Sequence, residues 1–169
     1  MSTPNARFSA ALEELKLTLE IQSFPESTRT AGEAAAAIGC ELAQIAKSLV
    51  FEADGQPVLV LMDGASRVDV DLVAKELRAA KVRRAGADVV REATGYAIGG
   101  VAPFGHRTRM TVLADRGLLR HDVVWAAAGT PYAVFAIDPA RMIEAAGGRP
   151  VDVRELPADV RERLADGGE

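Results

Sequence analysis

Two apolar runs, Ile45–Ala53 and Pro57–Met62, flank the dipeptide Asp54-Gly55 and constrain the fold of this 169-residue chain more than any other segment. Both runs are rich in Val, Leu and Phe. Asp-Gly is a favoured centre for a two-residue hairpin turn, where the backbone must take positive φ. A β-hairpin is therefore expected. In the first strand, period-two alternation puts Lys47 on one face with Ile45, Leu49 and Phe51, and Ala46, Ser48 and Val50 on the other. Both faces are largely apolar, so the ammonium must be paired, reach water or line a pocket.

Helical spacing governs other stretches. Asn5–Glu20 places Phe8, Ala11, Leu12, Leu15 and Leu19 three and four residues apart, the pattern of an amphipathic helix. After the Pro25-broken connector, Thr30-Ala31-Gly32-Glu33 reads as a capping box for a short helix ending at Gly39. Asp69–Ala80 is a further helix with Ser66 or Asp69 as its cap, and Ala87–Thr94 is another, closed by Gly95. Thr108–Ala114, Val123–Ala128 and Tyr132–Ile137 read as strands, and Asp138 opens a last helix, Pro139–Ala146. Strands in hairpins between short helices give an α/β (α+β) class: one domain with a mixed, mostly antiparallel sheet or open barrel flanked by short helices. The acidic stretch Asp152–Glu169 reads as a surface helix and tail, so the domain is expected over residues 1–153 and the tail over 154–169.

Composition removes several classes. The length suffices for a buried core without disulfides or metal, and a lone Cys40 with two distant His residues builds neither a bridge nor a structural zinc site. No cofactor or metal is expected. The longest apolar runs, Val58–Met62 and Val123–Ala128, are far short of a membrane span, and Met1–Leu15 lacks the pattern of a secretory signal. A cytoplasmic location is expected, without membrane or DNA partners. The net charge is −4, but it is uneven: Lys75–Arg84 holds five bases and one acid, and Arg107–Arg120 four bases and one acid. Such segments are either solvated faces or a basic rim able to attract phosphates.

Gly99-Gly100-Val101-Ala102-Pro103-Phe104-Gly105 is a loop able to expose backbone N–H groups to a ligand. His106-Arg107 follows where a P-loop needs Lys-Ser/Thr, so it is not one. Gly64-Ala65-Ser66-Arg67-Val68 lacks the closing glycine of a nucleophile elbow. Asp69 and Asp71 fit a helix start, where carboxylates favour the positive end of the dipole. His121 reads as solvated surface, and His106 as a candidate ligand contact because it follows the glycine loop.

In order along the chain, these features resemble the YbaK/ProX family of aminoacyl-tRNA editing proteins, related to the editing domain of prolyl-tRNA synthetase. The matching segments are Ser27-Thr28-Arg29-Thr30-Ala31, Gln44–Phe51 with Lys47, Gly99–Arg107, Ala127-Ala128-Gly129-Thr130 and Asp138–Met142. The resemblance implies hydrolysis, in trans and without metal or a Ser or Cys nucleophile, of the ester joining a wrong amino acid to the 3′-terminal adenosine of a tRNA, with tRNA for proline the family's usual substrate. It implies Lys47 as the functional lysine. It further implies Gly99, Gly100, Pro103, Phe104, Gly105 and His106, with Thr30 and Gly129, as substrate-binding positions. The implied partners are the 3′ end of a mischarged tRNA and prolyl-tRNA synthetase. The family branch that removes cysteine carries an acid where this chain reads Tyr132-Ala133-Val134-Phe135-Ala136, so alanine, serine, threonine and non-protein amino acids all stay open. A non-catalytic module holding tRNA ends or a nucleotide for a synthetase is the alternative.

Overall fold

A computed structural model describes residues 6–157 together with Val160 and Arg163. In chain order the elements are α1 (Ala6–Leu15), β1 (Ile21–Ser23), α2 (Ala31–Ile38), a 3₁₀ turn (Leu42–Gln44), β2 (Ala46–Ala53), β3 (Gln56–Asp63), α3 (Val70–Leu77), β4 (Val82–Arg84) and α4 (Ala87–Thr94). They continue with β5 (Thr111–Asp115), a second 3₁₀ turn (Arg116–Arg120), β6 (Val124–Ala127), β7 (Ala133–Ile137), α5 (Pro139–Ala145) and β8 (Gly148–Val151).

The expected hairpin forms. β2 and β3 pair antiparallel from Ala46↔Asp63 to Ala53↔Gln56, and Asp54 (φ 49°) and Gly55 (φ 84°) both take the positive φ that the turn needs. The Asp54 carboxylate also accepts hydrogen bonds from the Ala80 and Lys81 backbone N–H groups, which ties the turn to the connection between α3 and β4. Around the hairpin runs a five-stranded mixed sheet in the order β4-β2-β3-β5-β8, with β3–β5 and β5–β8 parallel. A second, antiparallel sheet has the order β1-β7-β6. A parallel bridge, Ile45↔Trp125, links the two sheets. No closed barrel forms.

Alternation along β3 sends Leu59 and Leu61 into one core and Val58, Val60 and Met62 into another. The larger sheet is thus buried on both faces at its centre, which is why β2 and β3 are near-continuous apolar runs. The first core lies between the sheets, where Phe8 of α1 stacks on Phe104 at 5.5 Å and packs against Phe135 at 5.1 Å. The second lies under α3 and contains Val73.

Caps fix the helix starts. Thr30 and Glu33 form the capping box of α2, Asp69 accepts from Asp71 N and Leu72 N, and Asp138 accepts from Arg141 N ahead of Pro139. Three expectations change. The first helix stops at Leu15, because Lys16 turns left-handed (φ 56°), and Leu17 and Leu19 reach the core from non-helical chain. Three strands beyond those expected form: β4 and β8 occupy the edges of the larger sheet, and β1 an edge of the smaller one. Residues 152–155 form a strap rather than a surface helix: Val153 is buried, Asp69 N donates to Val153 O at 2.8 Å, and Glu155 N donates to Arg67 O at 2.8 Å. Most of the expected acidic tail, 158–159, 161–162 and 164–169, lies outside the described residues.

Candidate functional site

A cavity of about 390 Å³ opens where the two sheets diverge, within the range of small-molecule sites. Its walls come from the α2 N-terminus (Thr30, Ala31, Ala34), Ile45 and β2 (Ala46–Val50), β4 and the start of α4 (Arg84, Ala85, Ala87), the 98–101 loop and β6–β7 (Trp125, Ala126, Val134). The cavity follows from strand pairing. β4 pairs with β2 only at Phe51–Ala53, with Ala85 N donating to Val50 O, and β6 bridges the line of β2 only at Ile45. Residues 46–49 therefore have a partner strand on one side only, and the other side is cavity wall. Small side chains, Ala31, Ala34, Ala46, Ala126 and Ala127, leave the space open.

Lys47 is half-buried in this wall, and its Nζ donates to the Ser66 carbonyl at 2.7 Å. Burial pushes its pKa below the ordinary lysine value; the Asp63 carboxylate acts in the opposite direction, and Arg84 and Arg67 add to the lowering. Arg29 and Arg84 also line the cavity, and among the described residues no carboxylate does. Among the described residues neither guanidinium has an ion pair; Arg84 lies 5.8 Å from the Phe51 ring centroid. The Ser48 hydroxyl on the same strand is buried with no hydrogen-bond partner.

The substrate-binding positions expected from sequence divide into two groups. Thr30, Lys47 and Gly99 meet at the cavity. The others sit behind it. Gly100 and Gly129 are buried, and a Cβ on Gly100 would fall 2.5 Å from Thr130 C and 2.6 Å from its Cα. Gly105 (φ 78°) leaves room for the Tyr96 hydroxyl and Ala11, so both glycines permit close packing of chain on chain. Pro103 is buried, and Phe104 is a core residue whose carbonyl accepts from the Tyr96 hydroxyl at 2.8 Å. His106 lies 5.9 Å from Tyr96 edge to face, its Nε2 2.7 Å from Ala102 O, and burial lowers its pKa. These six are absent from the cavity wall.

Gly99 (φ 83°) has a separate use. The Arg29 side chain passes where its Cβ would stand, with Arg29 Cγ 2.5 Å from that point, and both residues line the cavity. Arg29, Ser48, Arg84 and Trp125 were not singled out from sequence. The basic run Lys75–Arg84 contributes only Arg84 to the wall, and Arg107–Arg120 contributes nothing. No group of three or more His, Cys, Asp or Glu side chains suited to a metal occurs among the described residues.

Comparison with known proteins agrees with this architecture. Residues 25–145 match the family model of the aminoacyl-tRNA editing domain. YwhH of Bacillus subtilis, itself uncharacterised, is 32% identical over 126 residues, covering 74% of this chain and 80% of that protein. The proline–tRNA ligase of Elusimicrobium minutum is 35% identical over 99 residues; these make up 59% of this chain and 17% of the ligase, so the chain spans under a fifth of that enzyme. A solved structure described as a candidate trans-editing enzyme for prolyl tRNA synthetase superposes with a TM-score of 0.85 at 39% identity, over 92% of this chain and 99% of that one. With a family match across most of its length and a matching fold, the chain belongs to the aminoacyl-tRNA editing domain family.

Proposed function

We propose that the protein is a trans-acting aminoacyl-tRNA deacylase, hydrolysing the ester at the 3′-terminal adenosine of a mischarged tRNA, with tRNA for proline as its substrate. The observation that carries this reading is the half-buried Lys47 in a cavity lined by Lys47, Arg29 and Arg84 and, among the described residues, by no carboxylate. A cavity so lined attracts an anionic nucleic-acid end despite the net charge of −4.

Ester hydrolysis passes through a tetrahedral oxyanion. A fixed cation or N–H donor aimed at that oxygen lowers the barrier, by about 3 kcal/mol for a single donor. Lys47 supplies such a cation, or anchors the terminal nucleotide. Backbone N–H groups on the unpartnered side of residues 46–49 are further donors within the same wall. No His lines the cavity to act as base. The attacking water is then activated by the ribose hydroxyl of the substrate, as the family resemblance implies. Alanines along the wall limit the size of the amino acid admitted. The reaction takes place in the cytoplasm, alongside prolyl-tRNA synthetase.

Purified protein should release amino acid from at least one member of a panel of mischarged tRNAs. Retention of tRNA at low salt without turnover would instead establish the binding-module alternative.

A further inference from the structure

Along a strand, one residue turns its N–H and C=O to one neighbour and the next residue turns its own to the other. Two bonds fix this alternation in β2. Gly64 N donates to Ile45 O at 2.7 Å beside the Ala46↔Asp63 pair, so the odd-numbered residues face β3. On the opposite side Ala85 N donates to Val50 O at 3.1 Å, so the even-numbered residues face away from β3. Ser48 therefore points both its N–H and its C=O into the gap between the bond at Val50 and the β6 bridge at Ile45, where no strand pairs with it. That gap is the cavity, and Ser48 lines it. The Ser48 hydroxyl is also buried with no hydrogen-bond partner among the described residues, an unmatched polar group of the kind that folds rarely keep without a use.

In an antiparallel ladder two facing residues exchange both bonds, each carbonyl taking the other's N–H. A free N–H and C=O on one residue thus match a ligand that carries an amine and a carbonyl on adjacent carbons. An α-aminoacyl group is such a ligand. Its amine needs an acceptor here, because Lys47, Arg29 and Arg84 line the cavity and, among the described residues, no carboxylate does. The threonine hydroxyls of the wall are already engaged: Thr28 Oγ1 donates to Pro131 O, and Thr30 Oγ1 accepts from Glu33 N.

We propose that the main chain of Ser48 holds the acyl group of the substrate as a strand neighbour, its N–H donating to the acyl carbonyl and its C=O accepting from the α-amino group. The site then selects α-aminoacyl groups over acyl groups without an α-amine. That the natural ligand is an aminoacyl ester rests on the deacylase reading; the pairing of Ser48 with an amine and a carbonyl does not.

The test uses the full chain and three amides of 3′-amino-3′-deoxyadenosine, acylated on the 3′-nitrogen with L-alanine, β-alanine or propanoic acid. As amides they stand in for the labile ester. Calorimetry should find the L-alanyl amide bound about tenfold more tightly than the propanoyl amide, the order for one hydrogen bond. It should also bind more tightly than the β-alanyl amide, whose amine is one carbon too far from the carbonyl. Side-chain charge alone gives the opposite order, since the propanoyl amide brings no ammonium to three cations. Equal or tighter binding of the propanoyl amide, or no binding of any probe at millimolar concentration, overturns the proposal. In ¹⁵N-serine-labelled protein the Ser48 amide proton should move downfield and exchange more slowly with solvent when the L-alanyl amide binds. Binding that leaves this proton unmoved overturns the proposal, even in a protein that deacylates tRNA. A chain that binds the probe through Ser48 and releases amino acid from no tRNA defeats the deacylase reading and leaves this one standing.

Discussion

Gly100 lies against the backbone of Thr130, with the site of a missing Cβ 2.5 Å from Thr130 C and 2.8 Å from its N. Backbone cannot swing aside as a side-chain tip can. Gly100→Ala should therefore push the glycine loop off the β6–β7 turn and destabilise the protein by about 1–3 kcal/mol, the usual range for overpacking. Chemical denaturation measures this. A variant as stable as wild type would show that the contact is loose.

His106 gives the fold an acid-sensitive element. Burial holds its pKa below that of an unfolded histidine, about 6.5. As pH falls the unfolded chain takes up this proton first, so the stability from neutral His106 is intact above about 6.5 and is lost as pH falls through the folded value. The Tm of wild type should drop more steeply between pH 7 and pH 5 than that of His106→Gln. Parallel slopes would assign the acid sensitivity elsewhere.

Among the described residues, Arg29 and Arg84 are cavity-wall cations without carboxylate partners, unlike Arg83, which pairs with Glu52 at 2.9 Å. If each meets one phosphate, Arg29→Gln and Arg84→Gln should each raise KM for aminoacyl-tRNA and lower the slope of log(kcat/KM) against log salt by about one. Arg83→Gln, outside the cavity wall, serves as the comparison. Equal slopes in all three variants would place the phosphates elsewhere.

How much of this could be read from sequence differed by element. The β2–β3 hairpin was legible because its turn dipeptide and alternating runs are local signals. β4 was not. Val82-Arg83-Arg84 has no strand-like pattern, and it is a strand only because Phe51–Ala53 pairs with it and Glu52 meets Arg83 across the ladder. β8 contains Gly148 and Pro150, both poor strand formers, and is tolerated because it sits at the sheet edge beside β5.

The same division holds in the site. Lys47 stood out as a charge in an apolar strand. Arg29 and Trp125 did not, since only tertiary packing brings the α2 approach and β6 to the edge of β2. The glycine cluster was visible, but the close packing it permits was not. Gly100 and Gly105 make room for protein, and Gly99 makes room for Arg29.

Lys47 is the test of the whole account. Deacylation of a panel of tRNA for proline charged with alanine, serine, threonine, cysteine and proline, by wild type and Lys47→Ala, measures it directly. Wild type should release at least one non-cognate amino acid and spare proline, and Lys47→Ala should lose that rate by about 10²–10³-fold, the usual cost of removing one oxyanion-stabilising group. Full activity in Lys47→Ala, or no release from any charged tRNA by wild type, would contradict it.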